Sequence, residues 1–290
     1  MPHPIRIFLG IIAFTIFFVG SLVIGVVLFP MILVASLGNL QRFKGRCTRF
    51  VGRGYGTFLF CLRLWGLITW TERLHLPAEL EGRPYVLVAN HPSLIDVLFL
   101  LHWLPGSTSV VKSAWRNNVF FGPILRSVHY VSNAEPGDEP FTGALMRMVD
   151  HVEAGHPLII FPEGTRSLTN KLHRFKRGAF EVAVRTGVPI LPVFIGVDPP
   201  TLKKGTPLDT HEAGGWFFEM MPIVETAGET DSRTLRNRVE ADFQARFEEW
   251  ATSVGREVET KKLPSPSTEA LAGAANHDLS LKADVQGSKN

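Results

Sequence analysis

The sequence predicts an α/β fold, a mainly parallel sheet flanked by helices, with an N-terminal membrane-anchoring helical segment. Three observations carry this. Residues 7–38, "IFLGIIAFTIFFVGSLVIGVVLFPMILVASLG", hold no charged side chain. From about residue 83, short β-type runs alternate with helically spaced ones, the pattern of repeated βα units. Glycine and proline punctuate the boundaries between those runs.

The apolar run comes first. A spanning helix needs roughly 20 apolar residues, and a signal-peptide core only about 7–15. The run exceeds both, and Pro30 divides it. Residues 7–29 could span once with 31–41 turning into the interface, or two short helices could form a hairpin in one leaflet. No Asp or Glu precedes Glu72, whereas Arg6, Arg42, Lys44, Arg46, Arg49, Arg53 and Arg63 are basic. The formal net charge of +3 hides this asymmetry. A basic, apolar N-terminal third points to anionic lipid headgroups rather than nucleic acid, and its basic flank to the cytoplasmic side. "RFVGRGYGTFLFCLRLWGLITW" mixes aromatic rings with arginines and reads as interfacial, or as a first helix packed on the globular core. Cys47 and Cys61 offer neither a disulfide framework nor a metal spacing. The expected organisation is an anchor over 1–70, a globular domain over 71–262 and a disordered tail over 263–290.

The βα units follow in order. "RPYVLVAN" reads as a buried strand and "LIDVLFLLHWL" as a helix. "STSVVK" is a strand, "AWRNNVFFGPILRSV" a helix broken near Gly122-Pro123, and "HYVSN" a short strand. "FTGALMRMVDHVEAG" places Leu145, Met148, Val149 and Val152 at helical spacing and stops at Gly155. "HPLIIFPEG" is a strand, "RGAFEVAVRTG" a helix closed by Gly187, and "PILPVFIG" a strand. "WFFEMMPIVE" reads as an edge strand, because Pro222 does not suit a central one. A helix over 231–250, capped by Asp231 or Ser232, aligns Leu235, Val239, Phe243, Phe247 and Trp250 on one stripe.

Two stretches carry chemistry. In "NHPSLID" the strand ends at Asn90 and Pro92 stops further pairing. If Ser93 caps the next helix, Asp96 falls at N3 and points back at the cap. That accounts for Asp96 but leaves His91 without a structural task. A carboxylate one helical turn away can hold one ring N–H and leave the other nitrogen to accept a proton. In "IIFPEGTRS", Gly164 permits a tight turn with exposed N–H groups. Arg166 offers a planar fork for a phosphate or carboxylate, and Glu163 can hold that arginine or accept from a hydroxyl. Arg174, Lys176 and Arg177 add a further basic stretch. Ser93 or Ser167 as a hydrolase nucleophile lacks a Gly-x-Ser-x-Gly elbow. His151 and His156, with Glu153 between them, need not share a helix face as metal ligands.

Together these stretches resemble the glycerolipid acyltransferase family, which includes bacterial 1-acyl-glycerol-3-phosphate acyltransferases. Asn90 to Asp96 matches its His-four-residues-Asp motif, and Phe161 to Ser167 looks like its phosphate-binding motif. Val188 to Val193 is similar to its fourth block, with Pro192 at the family position. The resemblance implies direct transfer from acyl-CoA or acyl carrier protein to a lipid hydroxyl, with His91 as base and Asp96 orienting it. It further implies Glu163, Gly164, Thr165 and Arg166 around the acceptor head, with Lys112 and Arg126 from the second block. No metal, cofactor or covalent acyl-enzyme is implied, and membrane lipids are the expected partners, at the cytoplasmic face of a bacterial inner membrane. The second block departs from the pattern. Lysophosphatidate enzymes end it with Asp-Arg, where this chain reads Ser132-Asn133-Ala134-Glu135. That leaves room for an acceptor other than a glycerophosphate, such as a polyene-type hydroxyl.

Overall fold

A computed structural model describes residues 2–133, 142–203 and 212–258. The tail expected to be disordered lies outside the described residues, as do Ala134 and Glu135. Residues 1–257 gather into one unit.

The apolar run is a single helix from His3 to Ala35. Its two α-helical parts, α1 (His3–Val23) and α2 (Phe29–Ala35), are joined by a π turn over Ile24–Leu28. Pro30 therefore does not divide it. A proline removes one N–H and presses on the carbonyl four residues back. The wider turn just before it, with Phe29 N–H donating to the Ile24 carbonyl, absorbs that pressure.

After a short turn, α3 (Leu40–Leu64) runs back along this helix. Contacts mark the whole length: Arg46 to the Ala35 carbonyl, Phe29 on Phe43, Phe17 on Tyr55 and Phe58, and Arg6 to the Gly66 carbonyl. The opposite face of the helix, including Phe8, Ile16, Val19, Val23, Val27 and Val34, is exposed. Helix α3 also packs on α4 (Asp96–Trp103) through two glycines one turn apart. A Cβ on Gly52 would lie 3.1 Å from the Leu101 carbonyl, and one on Gly56 would overlap the His102 ring. The "VGRGYG" stretch thus serves close helix crossing.

Among the described residues seven strands form one sheet. They are β1 (Ile68–Trp70), β2 (Val86–Ala89), β3 (Thr108–Val111), β4 (Val131–Ser132), β5 (Leu158–Ile160), β6 (Ile190–Asp198) and β7 (Gly214–Met220). Their order is β1-β7-β6-β2-β5-β3-β4. From β6 to β4 all neighbours are parallel; β7 is antiparallel to β6, and β1 is parallel to β7. Two sequence expectations change here. Strand β7 is not the edge, because β1, which sequence reading assigned to the interfacial segment, covers it. The proline constraint still holds, since β7 stops at Met220, before Pro222.

Period-two alternation on β6 divides the core. Leu191, Val193, Ile195 and Val197 join the cluster beneath α3 and α4, which includes Phe99, Trp216 and Phe218. On the other side Phe194 meets Trp250 of α8 (Ser232–Ser253), and Gly196 leaves room for that indole. The helices α6 (Thr142–Glu153), α7 (Gly178–Thr186) and α8 pack successively on one another, completing a three-layer arrangement. Asp231 caps α8, and all five residues of the expected stripe are buried.

Candidate active site

The strands β2, β5 and β3 are neighbours and parallel, so the segments leaving their carboxyl ends converge. Val88 of β2 lies beside Ile160 of β5. That register brings Asn90-His91 against Phe161–Arg166, while Lys112 follows β3.

Asn90 fixes the first of these segments. Its buried amide donates to the Ile195 carbonyl and accepts from the Ile195 N–H, both at 2.7 Å. This two-bond clamp ties the motif's first residue to β6. The backbone of His91 is held by the β5 segment: its N–H donates to Glu163 Oε1 at 3.1 Å, and its carbonyl accepts from Ser167 N–H at 2.7 Å. The imidazole stacks on Phe161, with ring centroids 4.2 Å apart.

His91 Nδ1 lies 2.9 Å from Asp96 Oδ2. Asp96 is fully buried, and three more donors surround it. Ser93 N–H reaches Oδ2 at 2.6 Å, Ser93 Oγ reaches Oδ1 at 2.8 Å, and Trp216 Nε1 reaches Oδ1 at 2.9 Å. A buried carboxylate is tolerable only when its lone pairs are so occupied. These contacts hold the carboxyl group that orients the imidazole through Nδ1. The helix starts later than its sequence suggested. Ile95, not Ser93, is the cap residue of α4, so Asp96 opens the helix and is shared with His91 and Trp216. Ser93 Oγ is wholly buried and committed to Asp96, which removes it as a nucleophile.

Glu163 is also buried, and it faces inward rather than toward Arg166. Oε1 accepts from His91 N–H and Ser167 Oγ, and Oε2 accepts from His173 N–H at 2.8 Å. Burial pushes its carboxyl above the usual range, while Ser167 and the backbone N–H groups pull it back. Gly164 adopts φ +69°, and a Cβ there would meet Lys176 Nζ at 2.5 Å. Arg166 donates to the Leu202 carbonyl at 2.9 Å, which also accepts from Leu94 N–H. Partial burial lowers the guanidinium's pKa, and the Asp96 carboxylate opposes that shift.

His91, Lys112, Gly164, Thr165, Arg166 and Lys176 line one cavity of about 950 Å³. It follows the whole of β3, from Lys112 at the carboxyl end back to Pro105 and Gly106 before its amino end. Apolar side chains of α3, α4 and α6, among them Tyr55, Leu101 and Met148, form much of the wall. Asn133 lines it too, its Oδ1 accepting from Ser113 N–H. Two residues expected at the site stand elsewhere. Arg126 lines a separate polar cavity of about 410 Å³ with Lys44 and His129, its guanidinium donating to the Arg116 carbonyl. Pro192 is buried in β6 opposite Val88, with its carbonyl accepting from Met221 N–H.

His151 and His156 do come together, with ring centroids 5.0 Å apart, and His129 lies 4.8 Å from His156. Among the described residues no group of His, Cys, Asp or Glu is arranged to hold a metal ion. Sequence reasoning missed Trp216 and Leu202. Trp216 reaches Asp96 from 120 residues away and Leu202 reaches Arg166 from 36, and neither carries a local signal. The role of Asn90 was nearer to hand, since a polar residue ending an apolar strand must find buried partners.

Residues 68–196 match the family model described as Acyltransferase, a span that contains both motifs. Human 1-acyl-sn-glycerol-3-phosphate acyltransferase beta is 32% identical over 177 residues, 57% of this chain and 59% of that protein. The 1-acyl-sn-glycerol-3-phosphate acyltransferase of Cocos nucifera is 30% identical over 131 residues, 41% of each chain. The chain thus spans less than two thirds of the length of these curated relatives. The crystal structure of the 1-acyl-sn-glycerophosphate acyltransferase from Thermotoga maritima superposes with a TM-score of 0.63 at 25% identity, covering 86% of this chain and 97% of that one. Motif order and sheet topology agree with these likenesses, and over residues 68–196 the chain is similar to the Acyltransferase family.

Proposed function

We propose that this protein moves a fatty acyl chain from an acyl thioester, acyl-CoA or acyl carrier protein, to the hydroxyl of a lysophospholipid such as 1-acylglycerol-3-phosphate. The observation that carries this is the His91–Asp96 hydrogen bond of 2.9 Å on the wall of a cavity that also presents Lys112, Arg166 and Lys176. With Nδ1 donating to Asp96, Nε2 takes the proton from the acceptor hydroxyl. The resulting alkoxide attacks the thioester carbonyl, the C–S bond breaks, and the imidazolium returns its proton to the leaving thiolate. No covalent acyl-enzyme and no cofactor enter these steps. The cationic groups hold the acceptor's anionic head, with Gly164 and Thr165 at the same wall, and Glu163 acts by fixing the His91 backbone. In this reading residues 1–70 hold the domain of 71–262 at the cytoplasmic face of a bacterial inner membrane. The exposed apolar face of α1 and α2 lies in lipid and the basic α3 among headgroups.

The test compares membrane lipids made by wild type and His91→Ala. A general base is worth roughly 10²–10⁴ in rate, so acyl transfer drops by that factor in the variant. Undiminished transfer by His91→Ala overturns the mechanism. The relatives' names favour phosphatidic acid as product. The neutral Asn133 in the cavity wall favours the second reading, the same chemistry on another lipid hydroxyl. His91-dependent formation of a different ester, without phosphatidic acid, selects that reading.

A further inference from the structure

Between β3 and α5 (Gly122–Ser127), residues 115–120 expose three large apolar side chains to the surface. Val119 is 69% exposed, Trp115 39% and Phe120 36%. The turn is not a loose one. Asn118 Oδ1 accepts from the N–H groups of Phe120 and Phe121, the Asn118 carbonyl accepts from Gly122 N–H, and Trp115 N–H donates to the Lys112 carbonyl. Bonding these donors internally lowers the cost of placing the segment in an apolar phase. The patch is also continuous with the outward face of α1. Phe18 stands 5.7 Å from Phe120 and 5.1 Å from Phe121, ring to ring, beside the exposed Val19. A contiguous apolar surface of this extent requires a cover. Its continuity with a 33-residue apolar helix identifies that cover as the same one.

We propose that residues 115–120 are a second membrane contact, a wedge that dips into the acyl region of the leaflet holding α1. This rests on the membrane reading given above. Trp115 and Lys112 line the cavity that holds His91, so the wedge is also part of the cavity's rim. An acyl chain can then pass from the leaflet to His91 along apolar side chains, while Lys112 meets its anionic head.

The test uses full-length protein in nanodiscs of phosphatidylcholine and phosphatidylglycerol. Cys61→Ser and Val119→Cys leave one accessible thiol for a spin label, since Cys47 is fully buried. A label at Arg238→Cys, on an exposed position of α8, serves as the aqueous control. At 119 the label is expected to collide several-fold more with oxygen than with a water-soluble nickel chelate, and the control shows the reverse. Nickel access at 119 equal to that at 238, on disc-bound protein, overturns the wedge. Should the labelled variant misfold, dibrominated phosphatidylcholine is expected to quench wild-type tryptophan emission more than that of Trp115→Phe, and equal fractional quenching again overturns it. Protein that does not bind discs at all removes the membrane reading and the wedge together. Acyl transfer is measured separately, so failure of the chemistry is distinguishable from failure of the wedge.

Discussion

Asp96 shows how far a motif's function can depend on residues outside it. Two of its four hydrogen bonds come from Ser93, one is shared with His91, and the fourth comes from Trp216 on β7. The indole does not line the cavity, so under the proposed mechanism its part is to position the Asp96 carboxyl group. Trp216→Phe keeps an aromatic ring in the core while deleting the N–H along with the five-membered half of the indole. A hydrogen bond to a charged group contributes about 1.5–3 kcal/mol. The expected outcome is a kcat lowered roughly tenfold with KM for the acceptor unchanged, read in steady-state transfer assays. An equal rise in KM would instead mean that the cavity wall had moved. The His–Asp pairing was legible in "NHPSLID", because a histidine and an acid stood at a strand end among apolar residues. Trp216 was not, since an aromatic residue in an apolar strand looks the same whether its N–H has a partner or not. Glu163 illustrates the other limit. Its residue type suggested substrate contact, and only the geometry shows its carboxyl group bonded to the His91 and His173 backbone and to Ser167.

At the scale of elements, periodicity located α4, α6, α7, α8 and the central strands, because those segments are long or buried; the helix expected over 114–128 forms only as a 3-10 turn at Ser113–Asn117 and the six residues of α5. It failed for β1, three residues whose strand character comes from pairing with β7 rather than from any run of their own. It also failed at Pro30, where a π turn substitutes for the expected break. The helix α6 carries a pH prediction. Burial, with His156 and His129 nearby, pushes His151 down to about 4, and its Nε2 is buried with no hydrogen-bond partner among the described residues. The unfolded chain therefore binds the proton more readily than the folded one. The contribution to stability is fully present above pH 6.5, the ordinary value, and is lost as pH falls toward about 4. His151→Phe removes this dependence. Denaturant unfolding at pH 7 and pH 4 should show wild type losing about 3 kcal/mol more than the variant across that interval. Parallel pH dependence in the two proteins would mean that the histidine titrates normally in the fold.

For the molecule as a whole, the sheet does two jobs with one set of strands. Carboxyl ends of β2, β5 and β3 bring His91, Arg166 and Lys112 to one cavity, and the length of β3 forms a wall leading away from them. Strand residues rise about 3.3 Å each, so the path from Lys112 to Gly106 is on the order of 20 Å. Under the proposed function, an extended acyl chain lies along this path, which Val110, Leu101 and Met148 line and which reaches back to Pro105-Gly106. Chain length should then be measured along β3. Val110 is half-buried and lines the cavity midway. Val110→Trp fills the path there and leaves His91, Asp96 and Arg166 untouched. Each methylene kept from the apolar wall forfeits about 0.8 kcal/mol, roughly fourfold in kcat/KM. Donors short enough to stop before residue 110 lose nothing. Competition between a long and a short acyl thioester should therefore turn toward the short one by one to two orders of magnitude. A uniform loss on both donors would place the acyl chain elsewhere and leave the β3 channel without a part in the reaction.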